Sequence, residues 1–226
     1  MSVLRHAARV AGKDLRIELR SREIVYTMTF FAGLIVIIYA MAFPLKPELV
    51  RGAAPGMLWV AIAFAGTLGL GRAFDREREN DTMRALLLAP VPRLSVFLGK
   101  AIAVTVLVLA VAVVCAPLLA LFLGAPLFND PLALGTALLL GAIGFANVGA
   151  VFSATLLKVR SRDVLLPVIL YPILIPLFVA GTHATEAMIA VKPDPDQVWY
   201  WISFLGMYDA ASVVLSLWIF EALVIE

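Results

Sequence analysis

Six long apolar stretches alternate with short polar segments along the chain. They cover residues 24–43, 55–71, 101–123, 132–157, 164–181 and 203–220. A helix rises about 1.5 Å per residue, so roughly 20 residues cross a ~30 Å hydrocarbon core. Each stretch is near that length, and the fourth is long enough to tilt or to extend past the membrane surface. The pattern predicts an all-α integral membrane protein with six transmembrane helices, a single domain over 1–226, preceded by a polar segment at 1–23.

Charge fixes the expected topology. Arg5, Arg9, Lys13, Arg16, Arg20 and Arg22 precede the first span. Arg72, Arg76, Arg78, Arg84, Arg93 and Lys100 lie between spans 2 and 3, and Lys158, Arg160 and Arg162 between spans 4 and 5. The opposite side receives only Lys46, Arg51 and Lys192. Cytoplasmic loops retain Lys and Arg, so the N-terminus is expected in the cytoplasm. An even number of spans returns the C-terminus to the same side.

Composition sharpens the class. Hydrophobic residues make up 62% of the chain and charged residues 15%, against about 25% charged in an ordinary soluble domain. The net charge of +2 gives no reason to expect a nucleic-acid partner. The single cysteine, Cys115, sits in the middle of span 3 and reads as a small packing residue. The first apolar run is too long for a signal-peptide core and lacks a following small-residue cleavage site, so it reads as a retained signal anchor.

In the N-terminal segment Arg5, Arg9, Lys13, Arg16 and Arg20 recur every three or four residues and share one helical stripe. Leu4, Ala8, Ala11, Leu15 and Leu19 occupy another part of the same helix. This predicts an interfacial amphipathic helix over 1–23, its cations near anionic lipid headgroups. Asp14 and Glu18 interrupt its apolar side. Two readings stay open for them: part of a plain membrane anchor, or contacts with a cytoplasmic partner.

The segment between spans 2 and 3 is the leading functional candidate. Asp75, Arg76, Glu77, Arg78 and Glu79 form a dense mixed-charge run. Asn80, Asp81 or Thr82 would cap a short helix through Ala89, ended by Pro90 and Pro92. Met83, Leu86 and Leu87 would share one face of it. The expectation over 75–90 is a short amphipathic helix at the cytoplasmic surface that a soluble partner can grip.

Polar groups are sparse inside the spans. Asn147 in span 4 is flanked by Gly141, Gly144 and Gly149, with Ala142, Ala146 and Ala150 at four-residue spacing. Small residues let helices approach closely, and an Asn can hydrogen-bond across the contact. Pro167, Pro172 and Pro176 predict a bent or broken fifth span. Asp209 is the one acid inside a span, about six residues in and roughly 9 Å from its outer end. A charge at the bilayer centre costs about 2.5–3.5 kcal/mol, so a deep acid needs a purpose or a partner. Trp199, Tyr200 and Trp201 resemble an interfacial belt, and a later span start would leave Asp209 near the headgroups.

Catalytic signatures are missing from the sequence. Gly12-Lys13 and Gly99-Lys100 lack the upstream glycine and following hydroxyl of a phosphate-binding loop. His6 and His183 fall on opposite sides of the predicted membrane, so they cannot share one metal; His183, near Glu186, reads as a residue of the outer loop. No nucleophile, base and acid gather on one side. The chain is therefore expected to be non-catalytic, with any energy input from another chain.

The segment from Phe74 to Lys100, with its acidic-basic run, Thr82, Leu86-Leu87-Leu88-Ala89-Pro90 and Leu98-Gly99-Lys100, resembles the cytochrome c maturation protein B family. So do the proline-studded LLPVILYPILIPLFVAG and the ending with Leu205, Gly206, Tyr208, Asp209 and Trp218-Ile219-Phe220-Glu221. The likeness covers nearly the whole chain. It implies an ABC-2-like permease subunit of an ABC-type complex in the bacterial inner membrane. The ATPase, maturation protein A, would be a separate cytoplasmic chain holding ATP and Mg. The resemblance also implies maturation protein C as the haem-handling membrane partner, a small single-span maturation protein D and the periplasmic haem chaperone, maturation protein E. Haem would be the pathway substrate and not a cofactor held firmly by this chain, which lacks the tryptophan-rich haem motif. Residues 75–90 would be the coupling helix on the ATPase. Asn147, Pro167, Pro172, Pro176 and Asp209 would pack or gate within the membrane. Two other classes remain: a general ABC-2-type exporter subunit for lipid, polysaccharide or drug, and a non-transporting membrane scaffold.

Overall fold

The computed structural model describes residues 2–42, 46–79, 92–156, 159 and 161–225. Among them the chain forms seven α-helices and one 3₁₀ turn, with no strand. They are α1 (Ser2–Ser21), α2 (Glu23–Ala42), α3 (Pro47–Glu79), α4 (Arg93–Leu123), α5 (Pro131–Thr155), α6 (Arg162–Ile189) and α7 (Pro195–Ile225). The six helices from α2 to α7 are long and apolar enough to cross a membrane. They correspond one to one with the six apolar stretches, and the protein is a multi-pass, all-α membrane protein. The basic end of the bundle carries α1, the end of α3 and the starts of α4 and α6.

Local chemistry sets the helix ends. Arg22 adopts a left-handed conformation with φ 55° and turns the chain from α1 into α2. Gly124, at φ 68°, ends α4 in the conformation glycine adopts most freely. Asp130 starts α5: its Oδ1 accepts a hydrogen bond from the Ala133 amide at 3.0 Å, with Pro131 at the first helical position.

Three elements depart from the expectations. α3 runs eight residues past the apolar limit at 71, so Asp75, Arg76, Glu77, Arg78 and Glu79 continue a helix and do not begin a loop. Arg and Glu are good helix formers, so hydropathy ends there before helicity does. α6 is uninterrupted through Pro167, Pro172 and Pro176 and extends to Ile189, which places His183 on a helix and not in a loop. α7 begins at Pro195, eight residues before the apolar stretch, where Asp194 Oδ1 accepts from the amides of Asp196 (3.1 Å) and Gln197 (3.4 Å).

α5 is the hub, packing on α3, α4, α6 and α7. Its small residues make this possible: Ala142, Ala146 and Ala150 are buried against neighbours. The indole of Trp59 on α3 fills the space over Gly141 of α5 and Gly181 of α6, where a Cβ on either glycine would collide with the ring. Trp59 Nε1 donates to Thr185 Oγ1 at 3.1 Å, and Thr185 Oγ1 donates to the Gly181 carbonyl at 2.8 Å. The indole is thus paired as well as packed. Cys115 is fully buried in the same apolar core.

Gly181→Val would force the indole out of this clasp. The expected loss is about 1–3 kcal/mol, the usual cost of overpacking. It is read as a lower thermal midpoint in detergent; a midpoint equal to wild type would contradict the clasp.

Candidate functional site

Among the described residues, two polar clusters stand out within the apolar bundle. The first lies at the basic end, where α3 leaves and α4 returns on either side of residues 80–91. Phe74, on the last membrane-spanning turn of α3, is buried. Lys100 Nζ of α4 stands 6.0 Å from its ring centroid, and the Arg162 guanidinium of α6 stands 5.7 Å from it. A cation near an aromatic ring within about 6 Å is attracted by the ring quadrupole. Arg162 Nη2 also donates to the Gly71 carbonyl of α3 at 3.4 Å.

Lys100 carries a second connection. Its Nζ pairs with Asp14 Oδ2 of α1 at 2.5 Å, with the two side chains only 9% and 18% exposed. Asp14 Oδ1 also pairs with Lys13 Nζ at 3.1 Å, and breaking so enclosed an ion pair costs more than breaking an exposed one. Beside it, Gly99 lets α1 approach: a Cβ there would stand 2.6 Å from Val10 Cβ and 2.8 Å from the Ala7 carbonyl oxygen. Glu18, buried on α1, accepts a hydrogen bond through Oε1 from the Val25 amide in the first turn of α2 at 2.9 Å. The two acids that interrupt the apolar side of α1 are thus engaged within the chain, Asp14 on α4 and Glu18 on α2. Both therefore serve to hold α1 on the bundle.

The second cluster lies mid-bundle. Asn147 Nδ2 of α5 donates to Ser212 Oγ of α7 at 3.1 Å, and Ser212 Oγ donates to the Asp209 carbonyl at 3.0 Å. This is the interhelical hydrogen bond expected of Asn147. Asp209 is fourteen residues into α7, about 21 Å along the helix. It is buried, and a Cβ on Gly144 would collide with its Oδ1 and with Leu177 of α6. Asp209 is therefore enclosed between α5, α6 and α7 inside the bundle. Neither carboxylate oxygen has a hydrogen-bond partner among the described residues.

Next to it, Tyr208 Oη donates to the Ile173 carbonyl of α6 at 3.0 Å. Each proline of α6 leaves one carbonyl, four residues back, without its usual helical donor. For Pro176 that carbonyl belongs to Pro172, one residue from the group Tyr208 reaches. Polar side chains from neighbours are how a membrane helix tolerates such gaps. Ile173 and Leu177, each next to a proline in sequence, are the α6 residues at this contact, whereas Pro172 and Pro176 themselves are exposed; Pro167 lies near the basic end and lines a groove with Tyr171 and Arg72.

Among the predicted coupling residues, Asp75, Arg76, Glu77, Arg78 and Glu79 belong to α3, directly after Phe74. Thr82, Met83, Leu86 and Leu87 lie outside the described residues. The basic-end junction of Asp14, Phe74, Lys100 and Arg162 was not read from the sequence, where Arg162 counted toward topology and Lys100 toward topology and the family resemblance. The acids on the apolar side of α1 were the available signal. At the other end, His183 Nδ1 lies 3.2 Å from Glu186 Oε2, and its ring stacks on Trp201 at 4.8 Å.

The comparisons with known proteins agree with one another. Residues 5–225 match the family model described as CcmB protein. A protein named heme exporter protein B from Pseudomonas aeruginosa is 28% identical over 186 residues, covering 82% of each chain. Its namesake from Haemophilus influenzae is 26% identical over 207 residues, 92% of this chain and 91% of its own. Another of that name, from Paracoccus denitrificans, is 31% identical over 166 residues, 72% of each chain.

Two measurements test this geometry. A double-mutant cycle of Asn147→Ala with Ser212→Ala should give a coupling of about 0.6 kcal/mol and no more than about 1.7 kcal/mol; additive single effects would contradict the bond. Asp14→Lys should lower the yield of folded protein, and adding Lys100→Asp should restore it. If the double variant is no better than Asp14→Lys alone, the two side chains do not pair.

Proposed function

The chain belongs to the CcmB protein family, and we propose that it is the membrane permease subunit of an ABC-type complex in cytochrome c maturation. In this reading the chain is not itself an enzyme. A separate cytoplasmic ATPase, maturation protein A, binds ATP and Mg and hydrolyses the nucleotide. The chain lies in the bacterial inner membrane with both termini in the cytoplasm, as its sorted cations favour. Haem is the substrate of the pathway, delivered through or beside the bundle with maturation proteins C, D and E. The relatives named heme exporter protein B support haem as the cargo class.

The observation that carries the coupling role is the junction at the basic end. α3 enters the 75–90 segment directly after Phe74, and α4 begins at Arg93, seven residues before Lys100. Phe74 meets Lys100 and Arg162, and Lys100 meets Asp14. A push on the segment therefore reaches α1, α3, α4 and α6 through side chains already in contact. Packed charge pairs and rings shift as a unit more readily than they deform, which suits them to pass on a displacement.

ATP binding closes the ATPase and moves the coupling segment. α3 and α4 tilt with it, and α6 follows through Arg162. The change reaches Asp209 and Tyr208 across the α6–α7 contact, and the far side of the bundle exports haem or releases the loaded chaperone. The coupling segment can do this only if it contacts the ATPase differently in two states.

Glu77→Lys combined with Glu79→Lys should uncouple ATP hydrolysis from cytochrome c assembly while membrane insertion stays normal. The readout is holocytochrome c level beside ATPase rate in isolated membranes. Wild-type holocytochrome in that variant would remove the segment from the coupling path.

A further inference from the structure

A groove of about 510 Å³ runs along the side of the bundle between α2, α3 and α6. α2 and α6 both pack on α3 but make little contact with each other, so α3 forms the floor and the other two the walls. Its volume falls within the range of small-molecule sites. The inner part is apolar and aromatic: Phe31 from α2, Phe64 and Leu68 from α3, Tyr171 from α6. Phe64 and Tyr171 meet edge to face with centroids 5.9 Å apart, and Tyr171 Oη is 3.2 Å from Thr67 Oγ1.

The mouth is charged. Arg72, 57% exposed, faces Glu23 of α2 with Nη1 3.9 Å from Oε1. So long and exposed a pair holds weakly, and the guanidinium can exchange the carboxylate for a phosphate, which it grips well. Phe31 lies eight residues from Glu23 and Phe64 eight from Arg72, so both rings sit about 12 Å deeper than the charged mouth. The groove is thus elongated along the helices, apolar inside and cationic at the membrane surface, and it opens sideways.

We propose that this groove binds an anionic phospholipid of the leaflet at the basic end, one acyl chain lying along Phe31, Phe64 and Tyr171 and the phosphate on Arg72. A lipid is favoured over a soluble anion because apolar walls and cation form one continuous channel open to the bilayer. It is favoured over a compact ligand because the channel follows the direction of an acyl chain. Gly71, which lines the groove, accepts the Arg162 hydrogen bond. The bound lipid therefore touches the junction that joins α3 to α6, and its presence fixes their spacing.

The test uses the full-length protein extracted in mild detergent with the subunits it carries, titrated with phosphatidylglycerol and with phosphatidylcholine of the same acyl chains. Bound lipid is counted by native mass spectrometry. Wild type should retain phosphatidylglycerol in preference, and Arg72→Gln should weaken retention about fivefold, the factor expected for one cation near a membrane surface. Glu23→Gln, which removes the competing carboxylate, should retain at least as much as wild type. Thr67→Trp, which fills the aromatic part, should retain less of both lipids. Thermal midpoints identify any variant that has failed to fold, and Glu23→Gln keeps the test decisive if Arg72→Gln does. Equal retention of the two lipids by wild type, or unchanged retention in Arg72→Gln and Thr67→Trp, overturns the proposal. Displacement of phosphatidylglycerol by hemin, with hemin binding lost in the same two variants, overturns it too and assigns the groove to the macrocycle.

Discussion

The enclosed ion pair between Asp14 and Lys100 is the joint on which the basic end of the molecule depends. Hydrocarbon offers no hydrogen bonds, so charges near the bundle must find partners within the chain. Lys100 finds Asp14 on one side and the Phe74 ring on another. α1 is thereby tied to α4, and Gly99 removes the side chain that would hold the two helices apart. Glu18 adds the link to α2 through the Val25 amide. α1 is a built-in brace of the bundle, with exposed Leu4 and Leu19 available to the membrane surface.

From that joint the order of the bundle follows along α3 and α6. Among the described residues, hydrogen bonds that connect these antiparallel helices run from Arg162 to Gly71 at the basic end, between Thr67 and Tyr171, and from Trp59 to Thr185 toward the other end. α5 supplies small residues where neighbours bring large or polar ones. Gly141 receives the indole of Trp59, and Gly144 receives the carboxylate of Asp209. Apolar burial alone does not drive helices together in lipid, so close approach and a few well-placed polar contacts set the arrangement.

The spans were legible because twenty-odd apolar residues have few alternatives in a membrane protein. The glycine and alanine face of α5 and the hydrogen bond of Asn147 were legible too, since small residues and a lone amide mark a close contact. Helix ends were less so. Hydropathy falls at Gly71, yet Arg and Glu sustain α3 to Glu79. At α7 the signal was present, since Asp194 followed by Pro195 is a capping sequence, and it sets the helix start eight residues before the apolar stretch. The junction was illegible for a different reason. Lys100 and Arg162 each satisfy the topology rule by themselves, and only tertiary packing brings them to one aromatic ring.

In the proposed mechanism an ATPase acts on this bundle at the segment between α3 and α4. Site-specific photo-crosslinking from position 83, in native membranes supporting cytochrome c assembly, tests it most directly. The expected result is an adduct with a nucleotide-hydrolysing cytoplasmic protein whose yield changes when ATP is added. Failure to form that adduct from 83 or any other position in 75–90, while assembly continues, would contradict it.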